Sequence, residues 1–369
     1  MSLFRILALS PLIFSSMALG KVTEAQCSTK DFSGRFVPPK DQGNAGFCYS
    51  FAASDLVAEA AGVKPPDTVS ALYAGSQYIS MSPDEVKKAN EAISFDTPKQ
   101  ASQPQMGSMG GGFGGGGFAT SVSLSDPNYR IHDPKGKPLL KREGGQTDLI
   151  AAHLINQGRA CLEKEIPSEI LGKNPSDPEQ QGFFSMQLGS RAGGDEMNKV
   201  RENKKLYYDL QNTCMREPPL KGLDQLRPYK EAVQDWAADH LRKNVTEACK
   251  SPVKLKGLEV HSRSFTAKEQ NPESAAYIMS VLDQDRPFAL HYNVTLMRKW
   301  PEGAPSWHSS IVTGRRWNIT KGTCEIEIKN SWGDSCAEAL EPGICDKGRW
   351  YLDIEKLAND RSEVIWIQK

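Results

Sequence analysis

The stretch PPKDQGNAGFCYSFA, residues 38–52, puts a cysteine at the first turn of an expected helix, behind a loop that holds Gln42, Gly43 and Gly46. Helix N-termini favour negative charge through their unpaired N–H groups, so a thiol at Cys48 ionises more readily there and becomes a nucleophile. A nucleophilic thiol also needs a proton partner and something to orient that partner. Gln42 lies six residues upstream, near enough for its side-chain amide to fold back and form, with the Cys48 N–H, a two-donor oxyanion hole. Far downstream, SWHSSIVTG sets His308 at the mouth of a strand, and KNSWG sets Asn330 at the end of another. His308 is suited to hold the thiolate and protonate a leaving amine, and Asn330 to fix the ring by accepting its other N–H. The chemistry indicated is acyl transfer through a thioester. His291, in FALHY, is the best rival histidine, but it sits one strand too early and lacks the S-x-x-x-G that follows His308. His132, His153, His240 and His261 have no comparable context.

These residues need a helix under the cysteine and strands under the other two. Cys48–Ala61 lacks Pro and Gly, repeats Phe51, Ala52, Leu56 and Ala60 at helical spacing, and stops at Gly62. Residues 146–157 form a second helix, with Gly158 as terminator. Two longer helical patterns follow, one through Met197–Cys214 and one through Leu226–Cys249. A helix at 272–284 leads into short strand-like runs at 288–292, 309–314, 324–330, 349–354 and 363–368, separated by turn residues. Helices come first and antiparallel strands second, so the fold class is α+β. Residues 82–142 are rich in Ser, Pro, Gln, Gly and Lys and contain MGSMGGGFGGGGF. Gly112, Gly114 and Gly117 match G-x-G-x-x-G, but no strand precedes them, and the stretch reads as a Gly-rich surface loop rather than a dinucleotide site.

The chain has 369 residues, 45 Lys+Arg against 45 Asp+Glu, and eight cysteines. A net charge of zero argues against broad electrostatic binding to nucleic acid. Residues 1–20 carry Arg5, a short apolar run and small residues at Ala18 and Gly20, the pattern of a cleaved export signal. Removal after Gly20 leaves 349 residues, no integral membrane segment and every cysteine in a disulfide-permitting compartment, secreted or periplasmic. With Cys48 kept as a thiol, Cys336–Cys345 is the first expected pair and Cys214–Cys249 the second, while Cys27, Cys161 and Cys324 leave one over. No C-x-x-C or H-E-x-x-H occurs, so no metal or cofactor is indicated. Asn244, Asn293 and Asn318 fit the glycosylation acceptor pattern.

VPPKDQGNAGFCYSFA, EGGQTDLIAAHLINQG, WHSSIVTG and KNSWG, in that order, resemble the papain family of cysteine peptidases, whose local signature is C-G-[SA]-C-[WY] and whose triad is Cys–His–Asn. The resemblance implies that Gln42 is the oxyanion donor, Cys48 the nucleophile, His308 the acid–base and Asn330 the orienter. It implies that Trp332 covers the His–Asn pair, and that main-chain groups at Gly144 and Gly145 pair with an extended peptide or protein substrate. It further implies two lobes with the cleft between them. A helical lobe would span about 40–255, with insertions at about 80–142 and 172–255, and an antiparallel, barrel-like β lobe about 256–369. Residues 21–369 then form one catalytic unit.

The chain departs from the family in four places. Ala45 replaces the signature's first cysteine, and Phe47 replaces the small residue before the nucleophile, where it would crowd or reshape the site. His308 lies 260 positions beyond Cys48, against about 130–150 in the family. Only residues 21–37 separate the export signal from the VPPKDQG block, too few for the family's inhibitory pro-segment. The expected activity is endopeptidase hydrolysis. The rivals are a non-catalytic homologue that binds a protein or cell-surface partner, and a thiol-dependent transpeptidase.

Overall fold

The strand-like runs of the C-terminal third become the sheet that carries His308. A computed structural model describes residues 21–42, 47–96, 145–168, 239, 242, 243, 245–265, 272–299, 307–337, 339–358 and 362–369. The described strands are β1 (Lys30–Asp31), β2 (Ile93–Phe95), β3 (Arg159–Ala160), β4 (Val253–Lys254), β5 (Glu259–Phe265), β6 (Phe288–Asn293), β7 (Trp307–Asn318), β8 (Thr323–Lys329), β9 (Cys345–Asp346), β10 (Arg349–Asp353) and β11 (Ser362–Gln368). The helices are α1 (Cys48–Ala60), α2 (Ala71–Ile79), α3 (Pro83–Glu91), α4 (Thr147–Gln157), α5 (Pro272–Asp283) and α6 (Ile354–Ala358). The export signal, Gly43–Gly46, the Gly-rich loop with Gly144, and most of the two long helical patterns lie outside the described residues, as do His132, His240 and Cys214.

A mixed α+β architecture results. Eight strands run in the order β2-β5-β11-β6-β7-β8-β10-β9, and β1 adds to β7. All the pairings are antiparallel except β2 with β5. Near its middle β7 is bulged between Val312 and Gly314. Gly314 is needed there, because a Cβ would lie 2.4 Å from the Lys30 carbonyl of β1.

Helix α1 lies against β7, α2 and α4 and is buried from Tyr49 to Ala58. Its polar residues are satisfied internally. Ser50 and Ser54 donate to the carbonyls of Phe47 and Ser50, at 2.9 and 2.6 Å. Asp55, two turns below Cys48, takes the Lys329 ammonium at 2.6 Å, with both groups buried. That ion pair ties the cysteine helix to the last residue of β8, one position before Asn330.

Two helices differ from the sequence expectation. Residues 82–91, grouped by composition with the Gly-rich loop, form α3, started by a Ser82/Glu85 capping box and Pro83. Helix α2 begins at Ser70, whose hydroxyl accepts the Tyr73 N–H at 3.0 Å. Helix α4 ends as expected, on Gly158 at φ 69°.

The cysteine pairing also needs correction. Cys336–Cys345 forms as expected. Cys249 pairs with Cys161 instead of Cys214, because the β3–β4 pairing carries Cys161 to the segment after residue 248, with the two Cα atoms 5.8 Å apart. Cys27 pairs with Cys324 of β8, at a Cα separation of 5.7 Å. Cys27, Cys161 and Cys324 are therefore all bonded, and Cys48 is the free thiol among the described residues.

Candidate active site

Each side chain of the site owes its place to an element boundary. Cys48 opens α1, whose N-cap residue, Phe47, offers no side-chain cap, so the first-turn N–H groups face the thiol. N–H groups of Cys48 itself, Tyr49 and Ser309 all reach Cys48 Sγ. Ser309 is the residue after His308 on β7, so the strand that carries the histidine runs directly past the thiol. His308 is the second residue of β7, opposite Tyr292 of β6, and is 7% exposed. Asn330 follows the last residue of β8, and its N–H is held by the Gly348 carbonyl at 3.2 Å.

His308 Nε2 lies 2.8 Å from Asn330 Oδ1. The Ser331 N–H donates to that same Oδ1 at 2.7 Å, which identifies it as the amide oxygen. The histidine must therefore donate, so the neutral ring carries its proton on Nε2 and keeps Nδ1 as the basic nitrogen. The Trp332 indole stacks on the imidazole with centroids 4.3 Å apart, and the Arg298 guanidinium lies 4.2 Å above the indole. Tyr292 meets the imidazole edge-on at 5.7 Å.

Gln42 is buried on the same side. An antiparallel bridge joins Asp41 to Trp332, the Gln42 N–H donates to the Ser331 carbonyl at 2.8 Å, and the Ser331 hydroxyl donates to Gln42 Oε1. Oε1 accepts from Ser331, and Nε2 is the donor end of the same amide. The structure thus brings Gln42, His308, Asn330 and Trp332 into one cluster, with Cys48 against the first residues of β7.

Burial sets the charge state. Crowding by protein pushes the Cys48 thiol up to about 11, partly offset by the three N–H donors. Burial pulls His308 down to about 4; the bond to Asn330 opposes this, while Arg298 and His291 add to it. At neutral pH the resting pair is thiol and imidazole.

Phe47, expected to crowd or reshape the site, is half-buried beside Cys48. Its ring packs on α2, where a Cβ on Gly75 would meet it at 2.2 Å, and stacks on Tyr49 at 5.8 Å. Tyr49 in turn covers Gly145, where a Cβ would lie 2.5 Å from its ring. Close packing alone therefore requires a glycine at 145. Sequence reasoning missed Ser309, Thr147 and Glu363, and passed over His291. Glu363, an acidic residue within the apolar run of β11, was the available signal.

No family model and no curated protein sequence matches the chain. Among solved structures, it is similar to one from a study of the mite allergens Blo t 1 and Der p 1, at 13% identity over 98% of this chain and 75% of that one, with a TM-score of 0.38. It is also similar to digestive procathepsin L 3 of the Tenebrio molitor larval midgut, at 12% identity over 96% and 72%, TM-score 0.38. A third, SERA5E from Plasmodium falciparum, shares 10% identity over 90% of each chain, TM-score 0.37. At these scores the likenesses add nothing to the geometry of the site itself.

Proposed function

We propose that this protein is an exported cysteine endopeptidase of papain-like, two-lobed design, with Cys48 as nucleophile, His308 as acid–base, Asn330 as orienter and Gln42 as oxyanion donor. The observation that carries the reading is the His308–Asn330 bond of 2.8 Å under Trp332, on a strand whose next N–H reaches the Cys48 thiol.

In the proposed cycle, the Cys48 proton passes to His308 Nδ1 as the sulfur attacks a peptide carbonyl. The resulting oxyanion takes hydrogen bonds from Gln42 Nε2 and the Cys48 N–H. Imidazolium, held by Asn330, protonates the leaving amine, which departs as the thioester forms. Water, deprotonated by the same imidazole, then cleaves the thioester and restores the thiol. Trp332 keeps bulk water from the His–Asn bond, and the chain near Gly144 and Gly145 pairs with the extended substrate. Export is supported by the three disulfides among the described residues. No helix among those residues is long and apolar enough to cross a membrane.

The test is hydrolysis of a quenched fluorescent peptide library by the wild-type chain and by Cys48→Ala. Turnover is expected in the first and none in the second, with both folded by circular dichroism. Equal hydrolysis by the two would sink the assignment. Product analysis with an added amine separates hydrolysis from transfer.

A further inference from the structure

A second hydrogen-bonded chain, unused in the cycle above, ends beside the same thiol, at Ser309 and the Tyr49 carbonyl. Glu363 of β11 accepts the Ser262 hydroxyl of β5 at 2.6 Å through Oε1 and faces His291 Nδ1 at 3.0 Å through Oε2. His291 Nε2 lies 2.9 Å from Thr147 Oγ1, at the first turn of α4. Thr147 Oγ1 is 2.8 Å from Ser309 Oγ and 3.3 Å from the Tyr49 carbonyl, next to Cys48. Ser309 is the residue whose N–H reaches Cys48 Sγ. Glu363, Thr147, Ser309 and Ser262 are buried, and His291 nearly so. Five elements, β5, β11, β6, α4 and β7, thus meet in one line of polar contacts running toward α1.

Valence limits the protons in this line to two arrangements. A carboxylate only accepts, so His291 Nδ1 carries a proton. With Nε2 bare, Thr147 donates to His291 and Ser309 donates to Thr147. With Nε2 protonated, Thr147 accepts from His291 and its own proton turns to the Tyr49 carbonyl or to Ser309. In both arrangements Thr147 stays bonded to β6 and within reach of β7 and α1. A valine of the same shape would leave His291 Nε2 without its buried partner, and nothing polar would join α4 to the first turn of β7 at this point.

We propose that Thr147 and His291 are positioning residues that hold the Ser309 N–H and His308 in register with Cys48. The proposal rests on the peptidase reading of this site. It fits the cross-strand register, since His291 stands opposite Ser309 and Tyr292 opposite His308. Two adjacent β6 residues therefore brace the two β7 residues beside the thiol, one through Thr147 and one through ring contact.

The experiment compares full-length Thr147→Val and Thr147→Ser, with His291→Phe and His291→Gln as a second pair should the first fail to fold. Three quantities are read: kcat and KM on a fluorogenic peptide, the rate of Cys48 alkylation by iodoacetamide, and Tm. T147V is expected to lower kcat and alkylation together by about tenfold with KM held within about twofold, the size of one lost buried hydrogen bond. T147S is expected to restore most of both, and T147V with H291F to be no worse than the worse single variant, because the two residues belong to one chain of contacts. Unchanged kcat and alkylation in T147V, equal impairment in T147S, or a loss confined to KM would overturn it. A wild-type chain that cleaves no peptide, yet loses Cys48 reactivity in T147V, would refute the peptidase reading and leave the positioning role standing.

Discussion

Asn330 offers the most direct test of how the site works. Replacing it with alanine removes the acceptor of both the His308 Nε2–H and the Ser331 N–H. The Ser331 bond is present before and during reaction, so its loss falls mainly on stability. The His308 bond differs, because the ring is neutral at rest and an imidazolium in the transition state, and a charge-assisted bond is roughly twice as strong as a neutral one. The part gained on going to the transition state is about 1–2 kcal/mol, so kcat/KM should fall by about 5- to 30-fold. The pH profile gives a second, signed reading. His308 must be unprotonated to accept the thiol proton, so activity rises with pH through its pKa, at about 4. The Asn330 bond raises that pKa, so Asn330→Ala should shift the acid limb to lower pH. Asn330→Asp places a carboxylate against the ring and should shift the limb upward. The assay is kcat/KM across pH on a fluorogenic peptide, with Tm measured on the same samples. A change in kcat/KM of less than about twofold in N330A, or the same limb in N330A and N330D, would refute the reasoning.

Acid should destabilise the fold. His153 and His308 are both pulled down to about 4 by burial, against an unfolded value near 6.5, so the unfolded chain binds more protons in between. Stability should be full above about pH 6.5 and fall by up to about 3 kcal/mol per histidine as pH drops to 4, and Tm against pH in His153→Gln should show a smaller fall. Lys329→Met leaves Asp55 buried without its cation and should cost about 3–5 kcal/mol in urea unfolding, more than replacing both residues with apolar ones. Gly145→Ala drives a Cβ into the Tyr49 ring, beside Cys48, and should cost about 1–3 kcal/mol and lower kcat; an unchanged kcat would separate Gly145 from the site. Cys27→Ser opens the bond to Cys324 and should lower stability by about 2–5 kcal/mol without altering Cys48 alkylation in the folded chain.

Strands β6, β7, β8, β10 and β11 were legible as short apolar-rich runs between turn residues, whereas β5 and the two- and three-residue strands were not, and α1 was legible because thirteen residues pass without Pro or Gly. Helix α3 was hidden by averaging. The glycines of 106–118 dominated the composition of 82–142, although Ser82-Pro83-Asp84-Glu85 spells a helix start. Cysteine connectivity was not legible, because pairing depends on which elements meet in space. His291 was set aside for a similar reason. Its neighbours along the chain are apolar, and its partners Glu363, Thr147 and, through Thr147, Ser309 come from three other elements. A strand's local sequence tells which face is apolar, but not what stands across from it in the sheet or on the helix above.

The tie between Cys161 and Cys249 has a consequence for how this chain tolerates change. Cys161 and Cys249 are 88 residues apart. The two ends of the excursion between them are joined three times over: by the disulfide, by the β3–β4 pairing, and by Glu165, which accepts the N–H groups of Lys250 and Ser251. Whatever lies beyond that collar, the distance from α4 to β5 is fixed at its root. A change of length between residues 169 and 238 should therefore leave Thr147 and the sheet that carries His308 in place, whereas the two ends are committed: Ser168 and Val245 are buried and Arg242 pairs with Glu85. The collar separates whatever joins its two ends from the geometry of the thiol.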